Sequence, residues 1–213
     1  MDGVLIDSES VWSEAREELA RETGGRWGPD TQRRMMGMSS TEWSRFMRDE
    51  VGVPQEPDEI SANVVERLER RYREHLPLLP GAREAVQRLA QHWPLAVASS
   101  SNRPLIDLVL QLAGLTECFR VTVSSEEVPR GKPAPDVYLE AARRLGVEAA
   151  GSAAIEDSTN GLLAAQAVGM RVIAIPRPDY PPTPEALSRA AVVLDSLLEL
   201  TPQVVRAAGA TTA

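Results

Sequence analysis

The chain has 213 residues, enough for one domain of about 100–200 residues with a modest insertion and for a core that needs no covalent staples. Apolar residues make up 43% and charged residues 25%, which excludes collagen-like and wholly disordered classes. The net charge, 23 − 31 = −8, argues against binding a phosphate backbone by bulk charge, so nucleic acid is not an expected partner.

The N-terminal segment Asp2–Glu9 (DGVLIDSE) is read as a loop that follows a first strand. Residues 9–75 carry helical periodicity and charge (Ser10–Arg21, Thr41–Glu50, Asp58–His75) without a convincing strand, and are expected to form an all-helical insertion. From about residue 78 short apolar runs alternate with amphipathic helices. Pro94–Ala98, Val121–Val123, Ala153–Ile155, Val172–Ile175 and Val192–Leu194 read as buried strands. Gly81 opens a helix carrying Val86 and Leu89. Leu105, Leu108, Val109 and Leu112 mark one face of a second helix, and Val137, Ala141 and Leu145 mark a third that stops at Gly146. Such alternation predicts an α/β fold, a Rossmann-like parallel sheet with helices on both faces. The expected division is a core of residues 1–11 and 78–200, a helical cap of 12–77 and a flexible tail of 201–213, with Pro176–Pro184 a rigid loop.

Residue counts narrow the chemistry. Two histidines, His75 and His92, exclude sites built on several imidazoles. One cysteine, Cys118, makes no internal disulfide and no thiolate cluster, which fits a reducing compartment. No stretch reaches about 18 unbroken apolar residues and the N-terminus has no signal-peptide pattern, so a cytoplasmic protein that does not engage membranes is expected. A single lysine, Lys132, stands against 22 arginines. Either position 132 needs a compact ammonium rather than a planar fork, or one lysine survived a compositional bias.

In open α/β sheets, sites form at the carboxyl ends of strands. Four such loops share a chemical logic. Asp2-Gly3 suits a carboxylate on a tight turn with close backbone approach. Ser99, Ser100, Ser101 and Asn102 lie between a strand and a helix, where free N–H groups attract anions, although taken alone this loop favours a plain N-cap by Ser101 or Asn102. Arg130-Gly131-Lys132-Pro133 opens a helix but is no P-loop, because the upstream glycine and the following hydroxyl are missing. Glu156-Asp157 ends a strand with adjacent carboxylates, which suit Mg²⁺ or merely cap a helix. Together they form a set for phosphoryl transfer on a small phosphorylated metabolite.

The ordered motifs DGVLIDSE (Asp2–Glu9), VASSS (Val97–Ser101), GKPAPDVY (Gly131–Tyr138) and EDSTNG (Glu156–Gly161) resemble the haloacid dehalogenase-like phosphatase superfamily with a small helical cap. The resemblance spans nearly the whole chain. It implies that Asp2 is the general acid/base, its backbone carbonyl binding Mg²⁺, and that Ser99 holds the transferring phosphoryl group. It further implies that Lys132 pairs with the nucleophile and a phosphoryl oxygen, that Asp157 with Glu156 holds Mg²⁺, and that Gly37 sits on a cap loop facing substrate. Ser100 and Asn102 are expected beside the phosphate, and a monomer is expected.

The family's nucleophilic aspartate lies two positions before the acid/base, which here falls just before Met1. The expectation is that the native protein extends upstream, through an apolar strand that fills the middle of the sheet. A chain that truly starts at Met1 is expected to be close to inactive. A dehalogenase is disfavoured because such enzymes lack the acid/base aspartate held here by Asp2. Hexose-phosphate mutases of this type carry a histidine in the first cap helix, where Trp12 stands, and basic residues in the loop that here holds Met36, Gly37, Met38, Ser39 and Ser40. A metabolite-binding role is the remaining alternative. Trp12, Trp43, Met35, Met36 and Met38 read as cap core, and Arg33, Arg34, Arg71 and Arg73 as surface.

Overall fold

The computed structural model describes residues 1–209. Its first residues form a tight loop in which the N–H groups of Val4 and Leu5 both donate to the carbonyl of Met1 (3.2 and 2.7 Å). Two main-chain hydrogen bonds then close a neck: the Asp7 N–H donates to Pro77 O (2.8 Å) and the Leu79 N–H to Leu5 O (2.9 Å). Everything between belongs to a helical lobe that leaves and re-enters the α/β lobe at one place.

That lobe holds α1 (Glu9–Thr23), α2 (Thr31–Met35), α3 (Ser40–Phe46), which runs into a π turn over Met47–Val51, and α4 (Pro57–Glu74). Helix α1 ends at Gly24, whose positive φ of 81° lets its N–H turn back onto the last carbonyls. Helix α4 begins with Pro57, where a missing N–H costs nothing, behind a reciprocal cap between Glu56 and Glu59. Ile60, Val64, Leu68 and Tyr72 follow at four-residue steps on its buried face. They pack with Trp12, Leu19, Met35, Trp43 and Met47 into the lobe's own core.

The α/β lobe runs α5 (Ala82–Ala90), β1 (Leu95–Ser99), α6 (Arg103–Ala113), β2 (Phe119–Ser124), α7 (Asp136–Leu145), β3 (Ala153–Glu156), α8 (Thr159–Gln166), β4 (Arg171–Ala174), α9 (Pro184–Leu187), β5 (Val192–Val193) and α10 (Pro202–Gly209). All five expected strands are present and every pairing is parallel. Helix α6 departs from a one-faced amphipathic pattern. Leu105, Leu108 and Val109 join the helical lobe's core, whereas Ile106, Leu110 and Ala113 join the core beneath the sheet. Leu112, expected on the buried face, is 38% exposed, because α6 is gripped from two sides and turns only its remaining edge to water.

Two further differences matter. The sheet is in two pieces, β1–β2 and β3–β4–β5. Between β1 and β3 lies an apolar cleft of about 710 Å³ lined by Ala96, Val97, Ala98, Ala153, Ala154 and Ile155, with Met1 at its edge. And the C-terminal segment is not a frayed tail throughout. Residues 202–209 form α10, because Val204, Val205 and Ala208 cover the apolar core and Arg206 stacks on Trp93 at 5.4 Å. Residues 210–213 of the expected tail lie outside the described residues.

Candidate active site

The carboxyl ends of β1 and β3, the N-terminal loop and the helical lobe enclose one cavity of about 110 Å³. Asp2, Ser99, Ser100, Lys132, Glu156 and Asp157 line its floor; Gly37 and the cap side chains line its roof. Of the residues expected to act, only Asn102 stays out. Its amide donates to Ser61 Oγ (3.1 Å) and Glu126 Oε1 (2.7 Å), tying α4 to the α/β lobe. It opens α6 as the N-cap, and its side chain follows the cap away from the cavity.

Asp2 is held by three donors. Ser8 Oγ (2.7 Å) and Trp12 Nε1 (3.1 Å) donate to Oδ1, and Ser101 Oγ donates to Oδ2. Ser101 is therefore a positioning partner that the serine run concealed: Ser99, Ser100 and Ser101 differ in role only by which way each points. Ser99 is 3% exposed and accepts from the Ser101 N–H (3.2 Å), leaving its own hydroxyl proton free for a ligand. Gly3, at φ 68°, lies so close to Asp157 that a Cβ there would fall 1.8 Å from Oδ2, so only glycine lets the two loops meet.

The side chain of Lys132, 8% exposed, forms an ion pair with Glu156 Oε1 (2.5 Å), while also donating to Ala98 O (3.1 Å) and Tyr138 Oη (3.3 Å). The Tyr138 hydroxyl donates to the same carboxylate oxygen, at 2.5 Å. The other oxygen of Glu156 accepts from the Asp157 N–H and Ser158 Oγ. Burial alone would raise the Glu156 pKa, but the ammonium beside it holds the carboxyl below its usual value. Glu156, expected as a metal ligand, has both oxygens hydrogen-bonded within the chain and fixes Lys132, which does not bar it from a cation, since metal-ligating carboxylates are themselves hydrogen-bonded.

Asp157 differs. It makes no side-chain hydrogen bond among the described residues, and burial beside the Glu156 charge raises its pKa to about 7. A carboxylate in that position is short of a cation. Among the described residues no three His, Cys, Asp or Glu side chains are grouped to hold a metal by themselves. Mg²⁺ does not require that, since it binds through one or two carboxylates, with waters and substrate phosphate completing an octahedron. Asp157 and the backbone carbonyl of Asp2 fit it; the side chain of Asp2 is already engaged by its three donors.

The roof contains what the sequence did not expose. Glu9, Trp12, Arg16, Gln32, Met35, Met36, Met38 and Trp43 face the cavity, and Gly37 sits so near Asn160 that a Cβ would lie 2.8 Å from its Nδ2. Trp12, Trp43 and Met35 are buried cap core, as expected, and also line the cavity. Of the arginines weighed from the sequence, Arg34 pairs with Glu50, Arg71 with Glu14 and Glu18, and Arg73 with Glu69. Arg16 is the one that reaches the site; its i, i+4 spacing from Trp12 was the available signal.

A helical lobe over the carboxyl ends of parallel strands, with an acid, a lone ammonium and a carboxylate without a hydrogen-bonding partner among the described residues around one small cavity, is an arrangement suited to phosphoryl transfer. Residues 1–175 match the haloacid dehalogenase-like hydrolase family, and the chain belongs to it. It is 36% identical to hexitol phosphatase B of Escherichia coli K12 over 207 residues, covering 94% of this chain and 91% of that protein. It is 32% identical over 202 residues to the bifunctional riboflavin kinase/FMN phosphatase of Arabidopsis thaliana, of whose length it spans about half, 52%. The structure resembles that of CbbY from Rhodobacter sphaeroides in complex with phosphate (TM-score 0.86, 28% identity, 97% of this chain and 96% of that one). The chain is therefore a hydrolase whose relatives are phosphatases. Among the described residues no helix is long and apolar enough to cross a membrane.

Proposed function

We propose that this chain is a Mg²⁺-dependent cytoplasmic phosphomonoesterase for a small phosphorylated metabolite, a sugar or polyol phosphate. One observation carries the reading: Asp2, Ser99, Lys132 and Asp157, which are distant in sequence, line the same cavity under the helical lobe. Mg²⁺, held by Asp157 and the Asp2 carbonyl, would neutralise phosphoryl oxygens. The Ser99 hydroxyl holds one phosphoryl oxygen, and Lys132, fixed by Glu156 and Tyr138, offsets the charge developing on another. Asp2 protonates the departing alkoxide and then accepts a proton from the attacking water. Its oxygens are aimed by Ser8, Trp12 and Ser101. The helical lobe excludes bulk water from the cavity.

The attacking carboxylate would stand two positions before Asp2, at the end of a strand laid in the cleft between β1 and β3. That cleft is apolar, two parallel strands flank it, and Met1 borders both the cleft and the cavity. A strand running parallel to its neighbours there would deliver its last side chain to the phosphoryl site and pair the facing edges of β1 and β3. Hydrolysis is favoured over mutase chemistry because Trp12 commits its one N–H to Asp2 and has no acceptor with which to relay a proton.

The test is phosphate release from an aryl phosphate by the natively produced protein, with and without Mg²⁺. Release is expected with Mg²⁺ and is expected to stop with a chelator. Asp2→Asn is expected to lower it at least about a hundredfold; near wild-type release would overturn the role of Asp2. A native N-terminal peptide that begins at Met1 in a fully active enzyme would overturn the upstream nucleophile.

A further inference from the structure

The Arg16 guanidinium lies between two indoles, 4.5 Å from the centroid of Trp12 and 4.7 Å from that of Trp43. Those rings meet edge-on at 5.8 Å. Arg16 is 5% exposed, yet no carboxylate among the described residues lies within ion-pair reach of it. Seven other arginines of the lobe, Arg21, Arg34, Arg48, Arg67, Arg70, Arg71 and Arg73, each pair with a glutamate, and the three that do not, Arg26, Arg33 and Arg45, are exposed to water. Its one hydrogen bond runs from Nη1 to Gln32 Oε1 (3.1 Å), and the Gln32 amide in turn donates to Glu9 Oε2 (3.0 Å). Nε is buried without a partner, Nη2 makes no hydrogen bond, and the residue borders the cavity.

A buried guanidinium with no carboxylate in contact is unfavourable unless a ligand supplies one, and the Glu9 and Asp2 charges act on Arg16 only from beyond ion-pair distance. Burial lowers its pKa to about 10 against the raising pull of the Glu9 and Asp2 charges, so it stays charged at neutral pH. The aromatic faces compensate part of the lost hydration. Gln32 stands between Arg16 and Glu9 as a neutral spacer, which fixes the guanidinium and keeps the Glu9 carboxylate out of direct contact with it. The same Trp12 ring that lies against Arg16 donates to Asp2, so the cation in the roof and the acid in the floor keep a fixed separation.

We infer that Arg16 is a specificity-determining residue that binds a second anionic oxygen group, carboxylate or phosphate, at the end of the substrate remote from the scissile phosphoryl group. The inference rests on the phosphatase reading and narrows its substrate class to esters carrying two anionic groups. A planar fork with free donors suits both groups, and an aromatic cage that removes water strengthens either contact.

Calorimetric titration of the intact chain with three esters of similar size tests it: 3-phosphoglycerate (phosphate and carboxylate), propane-1,3-diol bisphosphate (two phosphates) and glycerol 3-phosphate (one phosphate). At least one two-anion ester is expected to bind about tenfold or more tightly than glycerol 3-phosphate, and which of them does so identifies the group. Arg16→Met is expected to bring that ester down to the level of glycerol 3-phosphate; Arg16→Gln serves if the Met variant does not fold. Equal binding of all three by the wild type, or an equal loss for all three in the folded variant, would overturn the inference and leave Arg16 as a staple between Trp12 and Trp43. Failure of the phosphatase reading looks different: no ester, and no aryl phosphate, would release phosphate even where binding discriminates among the three.

Discussion

The floor and the roof of the cavity solve the placement of charge in opposite ways. In the floor, Lys132 is matched within the chain by Glu156 and Tyr138, and Asp2 by three donors, so each group arrives oriented before any ligand does. In the roof, Arg16 is caged by rings and left without a carboxylate in direct contact. A preorganised floor suits chemistry that is the same for every substrate, because its dipoles need no rearrangement as charge develops. An unmatched roof suits recognition, because its electrostatic balance is completed only by the right ligand.

That contrast can be broken most sharply at Lys132. Lys132→Met leaves Glu156 buried without its cation and is expected to cost about 3–5 kcal/mol of stability, together with nearly all phosphate release. Urea unfolding and an aryl phosphate assay would read the two effects. Trp43→Ala removes a fully buried roof side chain and is expected to cost about 3–5 kcal/mol of stability as well, but with a smaller loss of aryl phosphate turnover than Lys132→Met. If both variants lost turnover equally, floor and roof would not be separable. Gly37→Ala places a side chain at φ 75°, against Asn160, and is expected to cost roughly 1–2 kcal/mol with a several-fold rise in KM, read by steady-state kinetics.

The smallest expected effect lies outside both regions. Burial by itself would raise the Glu127 pKa, but Arg103, the Ser124 N–H and Arg144 together hold it down to about 2. A carboxyl depressed in the folded state contributes stability above its unfolded value, near 4.3, and that contribution falls away as pH drops toward 2. Glu127→Gln is therefore expected to flatten the acid limb of the stability curve between about pH 5 and 2, and to leave the slope near neutrality unaltered. Exposure to solvent keeps this effect modest.

Much of the floor could be read from the residues, because strand-end loops concentrate chemistry and each loop offered few polar candidates. Asp2, Ser99, Lys132 and Asp157 came from such loops. Where a loop held several hydroxyls and amides in a row, composition could not say which pointed inward, and Ser101 and Asn102 proved to do different work from their neighbours. The roof was harder. Arg16 lies in a helix of alternating charge, SEAREELARE, where an arginine reads as solvated surface. Its burial follows from Trp12 one turn earlier on α1 and from Trp43 arriving on α3, a tertiary encounter that periodicity does not encode. The same limit hid α10, which is helical because Val204, Val205 and Ala208 find an apolar surface to cover.

Lys132 also sets the molecule's reactivity. Within these 213 residues it is the one side-chain amine, and its ammonium is shielded by Glu156 and Tyr138. An active ester applied to the folded protein should therefore leave position 132 untagged, and an adduct there should form only when the ion pair opens. Counting adducts by mass thus monitors how often the heart of the site comes apart, with no engineered label.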